Sequence, residues 1–250
     1  MNRFEIKDSG TNQFFQNFSI DDRLDSMART RTFAVLMRNV YTWMSLALMI
    51  TGFTALYVVK DMALMQSIFE SRFGLIGLIV AQIAVVVILS SRIDRMSFLT
   101  AGMLFAVYSI LTGVTLSSVF MVYTASSIAS TFFITAGTFA AMSAIGYFTK
   151  KDLSAVGRYM LMALIGLIIA TMVNIFMQSE MLMWVTSFAG VLIFVGLTAY
   201  DTQKIKNMLY MHGDEVNDGT MKLALLGSLT LYLDFINLFL YLLRFMGRRE

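Results

Sequence analysis

Apolar positions run almost unbroken through most of this chain, and the polar residues are bunched into short intervals between the runs. Seven stretches are long enough for a helix to cross a bilayer, which takes about 20 residues: 33–59, 73–90, 98–123, 128–148, 153–176, 181–200 and 223–245. Only residues 123–127 part the third run from the fourth, so a six-span reading merges those two. The pattern predicts an all-α membrane protein, a seven-transmembrane-helix bundle at 33–250 forming one domain, preceded by a short polar arm at 1–32.

The last run departs from uniform greasiness. Gly227, Thr230, Asp234, Asn237 and Tyr241 recur at three- and four-residue intervals, which places them on one helical face, while the rest of LYLDFINLFLYLL is almost wholly apolar. A helix with one polar stripe belongs at the centre of a bundle, the stripe turned toward other helices or a wet path. The sixth run has a matching face in Gly190, Phe194, Thr198 and Asp201, the last lying where the apolar run gives way in TAYDTQKIK. If the two faces meet, Asp201 and Asp234 share one poorly solvated site. Like charges there disfavour double ionisation, so the pair is expected to hold a proton and act as a pH sensor. The same oxygens suit a calcium ion once ionised, with Thr198, Thr230 and Asn237 as pore-lining polar groups. Read singly, each acid has a plainer role. Asp201 suits an ion pair with Lys204 one turn on, and Asp234 suits a buried acid satisfied by neighbouring hydroxyls. Arg92 and Arg95 in SSRIDRMSF either snorkel to headgroups or supply a basic latch that reaches the carboxylates.

Composition agrees with the membrane reading: 58% hydrophobic, 14% charged and a mean hydropathy of +0.72. No cysteine is present, which excludes disulfides, thiolate metal sites and a cysteine nucleophile. The net charge of +3 is spread among short loops rather than gathered on a stripe, so no nucleic-acid partner is expected. It orients the chain instead. With the N-terminus cytoplasmic, thirteen of the nineteen lysines and arginines fall on the inner side, as the positive-inside rule requires. Arg244, Arg248 and Arg249 lie on the other side if the last helix crosses fully, so a re-entrant last helix is the alternative to the full crossing favoured here. The first 32 residues lack the apolar core of a cleaved signal peptide.

Proline is absent, so kinks fall to glycine or serine. Ala136, Ala140 and Ala144 form a small-residue seam expected to let another helix approach. The 21 methionines and 21 phenylalanines read as filler. Asn174 reads as glue between helices, His212 as a solvated loop residue, and Lys60, Asp61, Glu70 and Arg72 as solvated ends of the first outer loop. No phosphate loop, dinucleotide fingerprint, serine elbow or paired-histidine zinc motif occurs, so no enzyme is expected.

Four segments, TKKDLSAVGRYM, LIGLIIATMVNIF, GLTAYDTQKIK and LYLDFINLFLYLLRF, resemble the signature segments of the transmembrane Bax inhibitor motif family, in its bacterial branch. The resemblance covers about residues 30–247. It implies a seven-helix bundle with the last helix central, no tightly bound cofactor, and a pH-dependent calcium leak through an inner (plasma) membrane of a bacterium. Carried over by position, the family's paired aspartates fall on Asp201 and Asp234, and its basic latch on Arg95 or Arg92 according to where a small gap is placed. Some relatives carry an acid on the second helix where this chain has Gln82, which implies a weaker cation contact there. The implied partners are lipid, calcium and protons. The alternative function is a non-transporting membrane regulator that binds a protease or a stress or cell-death factor through the arm and the segment 204–222.

Overall fold

The computed structural model describes residues 8–69, 71, 74–212 and 215–248, with side chains described from Met27 onward except Met62. Among the described residues eight α-helices follow in order: α1 (Asp8–Lys60), α2 (Met62–Phe69), α3 (Gly74–Arg92), α4 (Phe98–Ser117), α5 (Ala125–Phe148), α6 (Ser154–Met177), α7 (Glu180–His212) and α8 (Asp218–Met246). Lipid offers no partner to backbone polar groups, so each span closes its own hydrogen bonds as a helix. All but α2 contain a stretch long and apolar enough to cross a membrane, seven in all among the described residues. The fold is the expected seven-span bundle. The six-span reading fails because a 3-10 turn at Ser118–Met121 ends α4, and Thr124 starts α5 by accepting the Ser127 N–H at 3.3 Å.

Helix ends differ from the apolar runs because hydropathy marks the membrane rather than the helix. From Asp8 on, the expected arm is the beginning of α1, while residues 1–7 lie outside the described residues. Glu70 and Arg72 lie outside them too, but Asp61 is no mere solvated loop end. Its Oδ1 accepts the N–H groups of Ala63 and Leu64 at 3.1 Å, an N-cap that starts α2. Helix α7 runs on to His212, since Gln, Lys, Met and Leu continue a helix readily, and α8 begins at Asp218. The surface imagined at 204–222 is therefore mostly helix. A capping box fixes the start of α8, with Asn217 and Thr220 exchanging side-chain-to-backbone bonds at 3.0 Å.

The last helix is central. In its apolar window 67% is buried, against 6% in α3 and in α6, which lean on α4 and α7 at the periphery. At one end of the bundle the first turn of α8 holds the α3–α4 connection. Phe98 N–H donates to Asp218 Oδ1 at 3.1 Å, Lys222 Nζ donates to the carbonyls of Asp94 at 3.5 Å and Met96 at 3.1 Å, and Lys222 pairs with Asp218 at 3.1 Å. This is the basic end, carrying Arg92, Arg95, Lys150 and Lys151 in its turns. At the far end, Thr124 N–H donates to the Arg248 carbonyl at 3.2 Å and Arg248 N–H to Ser127 Oγ at 3.0 Å. The last helix thus runs the full height of the bundle, and the re-entrant alternative is not what forms.

Candidate functional site

Glycines let α7 and α8 lie close. A Cβ on Gly227 would stand 2.9 Å from Ile205 Cγ2, and one on Gly190 would overlap the Tyr241 ring. That ring also stacks on Phe194, with centroids 5.6 Å apart. The faces picked out by three- and four-residue spacing do meet, and between these contacts the carboxyl groups of Asp201 and Asp234 come within hydrogen-bond reach of one another. Asp234 is 5% exposed, whereas Asp201 is only half-buried, so the pair is sealed on one side and open on the other. Among the described residues, Asp234 Oδ2 is the buried side-chain oxygen with no donor. Two carboxylates are both acceptors, and their contact becomes a bond only when a proton or a cation stands between them.

Asp201 also feels the charge of Lys204 one turn on, but among the described residues the two make no ion pair, and Lys204 instead lies over the Tyr200 ring at 6.0 Å. The two residues that follow Asp201 in sequence point elsewhere, as successive helical residues must. Thr202 bonds Ser143 of α5 at 3.0 Å, and Ser143 bonds Tyr41 of α1 at 2.6 Å. Gln203 donates to the Lys151 carbonyl and accepts the Leu153 N–H, both at 2.8 Å, clamping the α5–α6 turn. One short polar run thereby fixes α7 to three neighbours.

Among the described residues, none of the remaining candidates makes a hydrogen bond or ion pair to the two carboxyl groups. Thr198 donates to the Phe194 carbonyl at 2.7 Å, Thr230 to Leu226 at 3.1 Å and Asn237 to Leu233 at 2.8 Å, each bonding back one turn on its own helix. Thr198 is fully buried, while Thr230 and Asn237 are half-buried. Arg92 and Arg95 are exposed at the basic end, and among the described residues neither makes an ion pair with Asp201 or Asp234. Gln82 donates to Thr112 Oγ1 at 3.3 Å. No group of three or more His, Cys, Asp or Glu is gathered among the described residues.

Two expectations are corrected by geometry. Asn174 does not glue neighbouring spans. Its Oδ1 accepts the Ser179 N–H at 2.9 Å and its carbonyl the Gln178 N–H at 2.8 Å, closing α6 through a left-handed Gln178 at φ 49°. The Ala136, Ala140, Ala144 seam is not covered by a helix but lines a groove. His212 is exposed, as expected, though at the last turn of α7 rather than in a loop.

A second buried polar cluster escaped the sequence. Tyr232 OH and Thr51 Oγ1 lie 2.7 Å apart, Thr51 donates to the Ser109 carbonyl at 3.0 Å, and the Phe105 and Tyr108 rings stand edge-on to Tyr232. Its trace was Tyr232 itself, two positions before Asp234 and so on nearly the opposite face.

Comparison with known proteins places this architecture. The family model described as "Inhibitor of apoptosis-promoting Bax1" matches residues 33–250. The chain belongs to that Bax inhibitor family. The inner membrane protein YbhL of Escherichia coli is 52% identical over 229 residues, covering 91% of this chain and 98% of the relative. A protein of Borreliella burgdorferi is 46% identical over 214 residues, covering 86% and 92%, and one of Rickettsia prowazekii is 44% identical over 215 residues, covering 86% and 89%. The chain is an integral membrane protein of this family, and the resemblance first carried by its motifs holds for nearly its whole length.

Proposed function

We propose that the protein is a pH-sensitive calcium leak of a bacterial inner membrane, with its N-terminus cytoplasmic and Asp201 and Asp234 as sensor and gate. The observation that carries the reading is the contact between the two carboxyl groups, with a buried Asp234 oxygen that no donor among the described residues satisfies. A shared proton holds the pair together across the α7–α8 seam. When the proton leaves, repulsion between the carboxylates favours their separation, and a calcium ion competes for the same oxygens. Two carboxylates are few for an ion that takes six to eight oxygen ligands, so calcium here is a hydrated passenger rather than a resident ion. The arginine latch, at Arg92 or Arg95, belongs to a second conformation in which the α3–α4 turn moves inward. The inner-membrane location follows the name of the Escherichia coli relative, and the orientation follows the lysine and arginine count.

Purified protein in liposomes loaded with a calcium dye tests this. Wild-type flux should vary between about pH 6 and 8, and Asp234→Asn and Asp201→Asn should each flatten that dependence. Flux with unchanged pH dependence in both variants overturns the pair as sensor. A second reading, a membrane regulator that binds a protein without transporting ions, draws on the family's own description as an inhibitor. Loss of a stress phenotype on removal of the arm at 1–32, with flux intact, would favour it.

A further inference from the structure

Between α1 and α5 lies an open, largely apolar groove of about 940 Å³. Phe139 and, from the central helix, Phe235 are among its lining residues. A second hollow of about 400 Å³ shares Leu48, Gly52, Leu56, Phe132 and Phe235 with it. On α1 the groove runs from Arg38 to Leu56, about 27 Å along a helix, close to the hydrocarbon thickness of about 30 Å. The hydroxyls of Tyr41 and Ser143, both in its lining, bond one another. What remains is carbon for most of its length, open toward the bilayer.

Arg38 marks one end. It precedes Lys60 by about 33 Å of helix, so when Lys60 sits at one membrane boundary Arg38 sits at the other, at headgroup level. The side chain is exposed, and among the described residues its guanidinium makes no hydrogen bond or ion pair. Phe148 lines the groove at the same end, and Lys150 and Lys151 follow it after Thr149, both exposed. The acid of that turn, Asp152, is engaged by the Ser154 N–H at 2.9 Å. Three cations thus lie at the end where an acyl-chain slot opens, and among the described residues none of them makes an ion pair.

We infer that the α1–α5 groove is a binding site for an anionic phospholipid of the leaflet on the basic side, one acyl chain lying along the groove and the phosphate on Arg38. A guanidinium presents a fork of donors matched to phosphate oxygens, and methionine and phenylalanine walls adapt to a flexible chain. The inference goes beyond ion conduction and does not depend on it. It extends to the carboxylates in one respect, since the Tyr41–Ser143–Thr202 hydroxyl chain leads from the groove wall to the residue after Asp201.

Native mass spectrometry of delipidated protein, titrated with phosphatidylglycerol or with phosphatidylcholine of identical chains, reads the site. Wild type should prefer phosphatidylglycerol by about tenfold, the scale of one strong charge-assisted contact. Arg38→Gln should remove the preference by weakening phosphatidylglycerol far more than phosphatidylcholine, whose phosphate is already neutralised by its own choline cation. Ala140→Phe or Ala144→Phe, which fill the groove, should weaken both lipids. Arg158→Gln, an exposed arginine on α6, should change neither. Equal losses from Arg38→Gln and Arg158→Gln would mean diffuse surface charge, and undiminished binding in both groove-filled variants would mean ordinary annular lipid. Either result overturns the site. Thermal unfolding in the same detergent certifies that each variant compared is folded.

Discussion

The two flanks of α8 are built in opposite ways. Toward α7, glycines admit Ile205 and Tyr241 and the helices close over a pair of carboxyl groups. Toward α1 and α5, the neighbouring helices leave room enough that Phe235 lines an open groove. The closed flank contains the one buried side-chain oxygen that lacks a donor among the described residues, whereas on the open flank the hydroxyls of Thr51 and Tyr232 satisfy each other and the groove wall is largely carbon. A membrane bundle therefore need not place its polar chemistry in an open groove. Tight packing seals Asp234 from water and lipid while Asp201 keeps an open side, so a proton or a small ion can reach the pair. A wide apolar groove asks for hydrocarbon.

Helix α5 spans both regimes, and its glycines break or sharpen the contrast. Gly146 lies so close to the Ala199 carbonyl of α7 that a Cβ would overlap backbone. Gly146→Leu is expected to cost about 3 kcal/mol and to abolish the folded bundle or lower its unfolding temperature sharply in detergent. Gly137 has nothing within 4 Å of its would-be Cβ, and Gly137→Leu should stay within about 0.5 kcal/mol of wild type. Equal effects at the two positions would erase the distinction drawn here.

The two faces of α8 give effects of intermediate size and opposite sign. Tyr232→Phe removes one hydroxyl from a satisfied cluster, while Thr51 still donates to Ser109, so a loss of about 1 kcal/mol is expected. Asp234→Asn keeps the shape and supplies an N–H that the Asp201 carboxylate can accept. Stability at neutral pH should rise by about 1 kcal/mol even as pH control of flux is lost. A drop in unfolding temperature for Asp234→Asn would mean that the carboxylate, and not the contact, holds the seam.

The smallest effect lies outside the bundle. Hydrogen bonds from Ser154, side chain and backbone, hold the exposed Asp152 carboxyl below its usual range. A depressed folded value means that its contribution is complete above the ordinary carboxylate value near 3.8 and fades as pH falls through the folded one. Asp152→Asn should leave the neutral-pH unfolding temperature nearly unchanged and slightly flatten its decline in acid.

Much of the closed flank was legible in the chain. Gly190, Phe194 and Asp201 on one run, and Gly227, Asp234 and Tyr241 on another, announce themselves by helical spacing, because interlocking faces need small, aromatic and polar residues at fixed intervals. The open flank was not. Ala136, Ala140 and Ala144 state that a close approach is permitted, and nothing in a sequence says that no helix takes it up. The hydroxyl chain joins residues on three helices, separated by 102 positions between Tyr41 and Ser143 and 59 between Ser143 and Thr202, and no local pattern encodes such a link. The spacing that puts Thr230 and Asn237 on one face does not show that each bonds back one turn on its own helix. The arginines were selected by charge, which fixes neither reach nor conformation.

The brace at the basic end couples parts that look separate. Asp218 and Lys222 grip the α3–α4 elbow by its backbone, and Asp234 stands about 24 Å further along the same rod. Twisting that rod to part the aspartates drags the elbow, and Arg92 and Arg95 with it. The buried aspartate and the two guanidinium groups are geared to a single shaft.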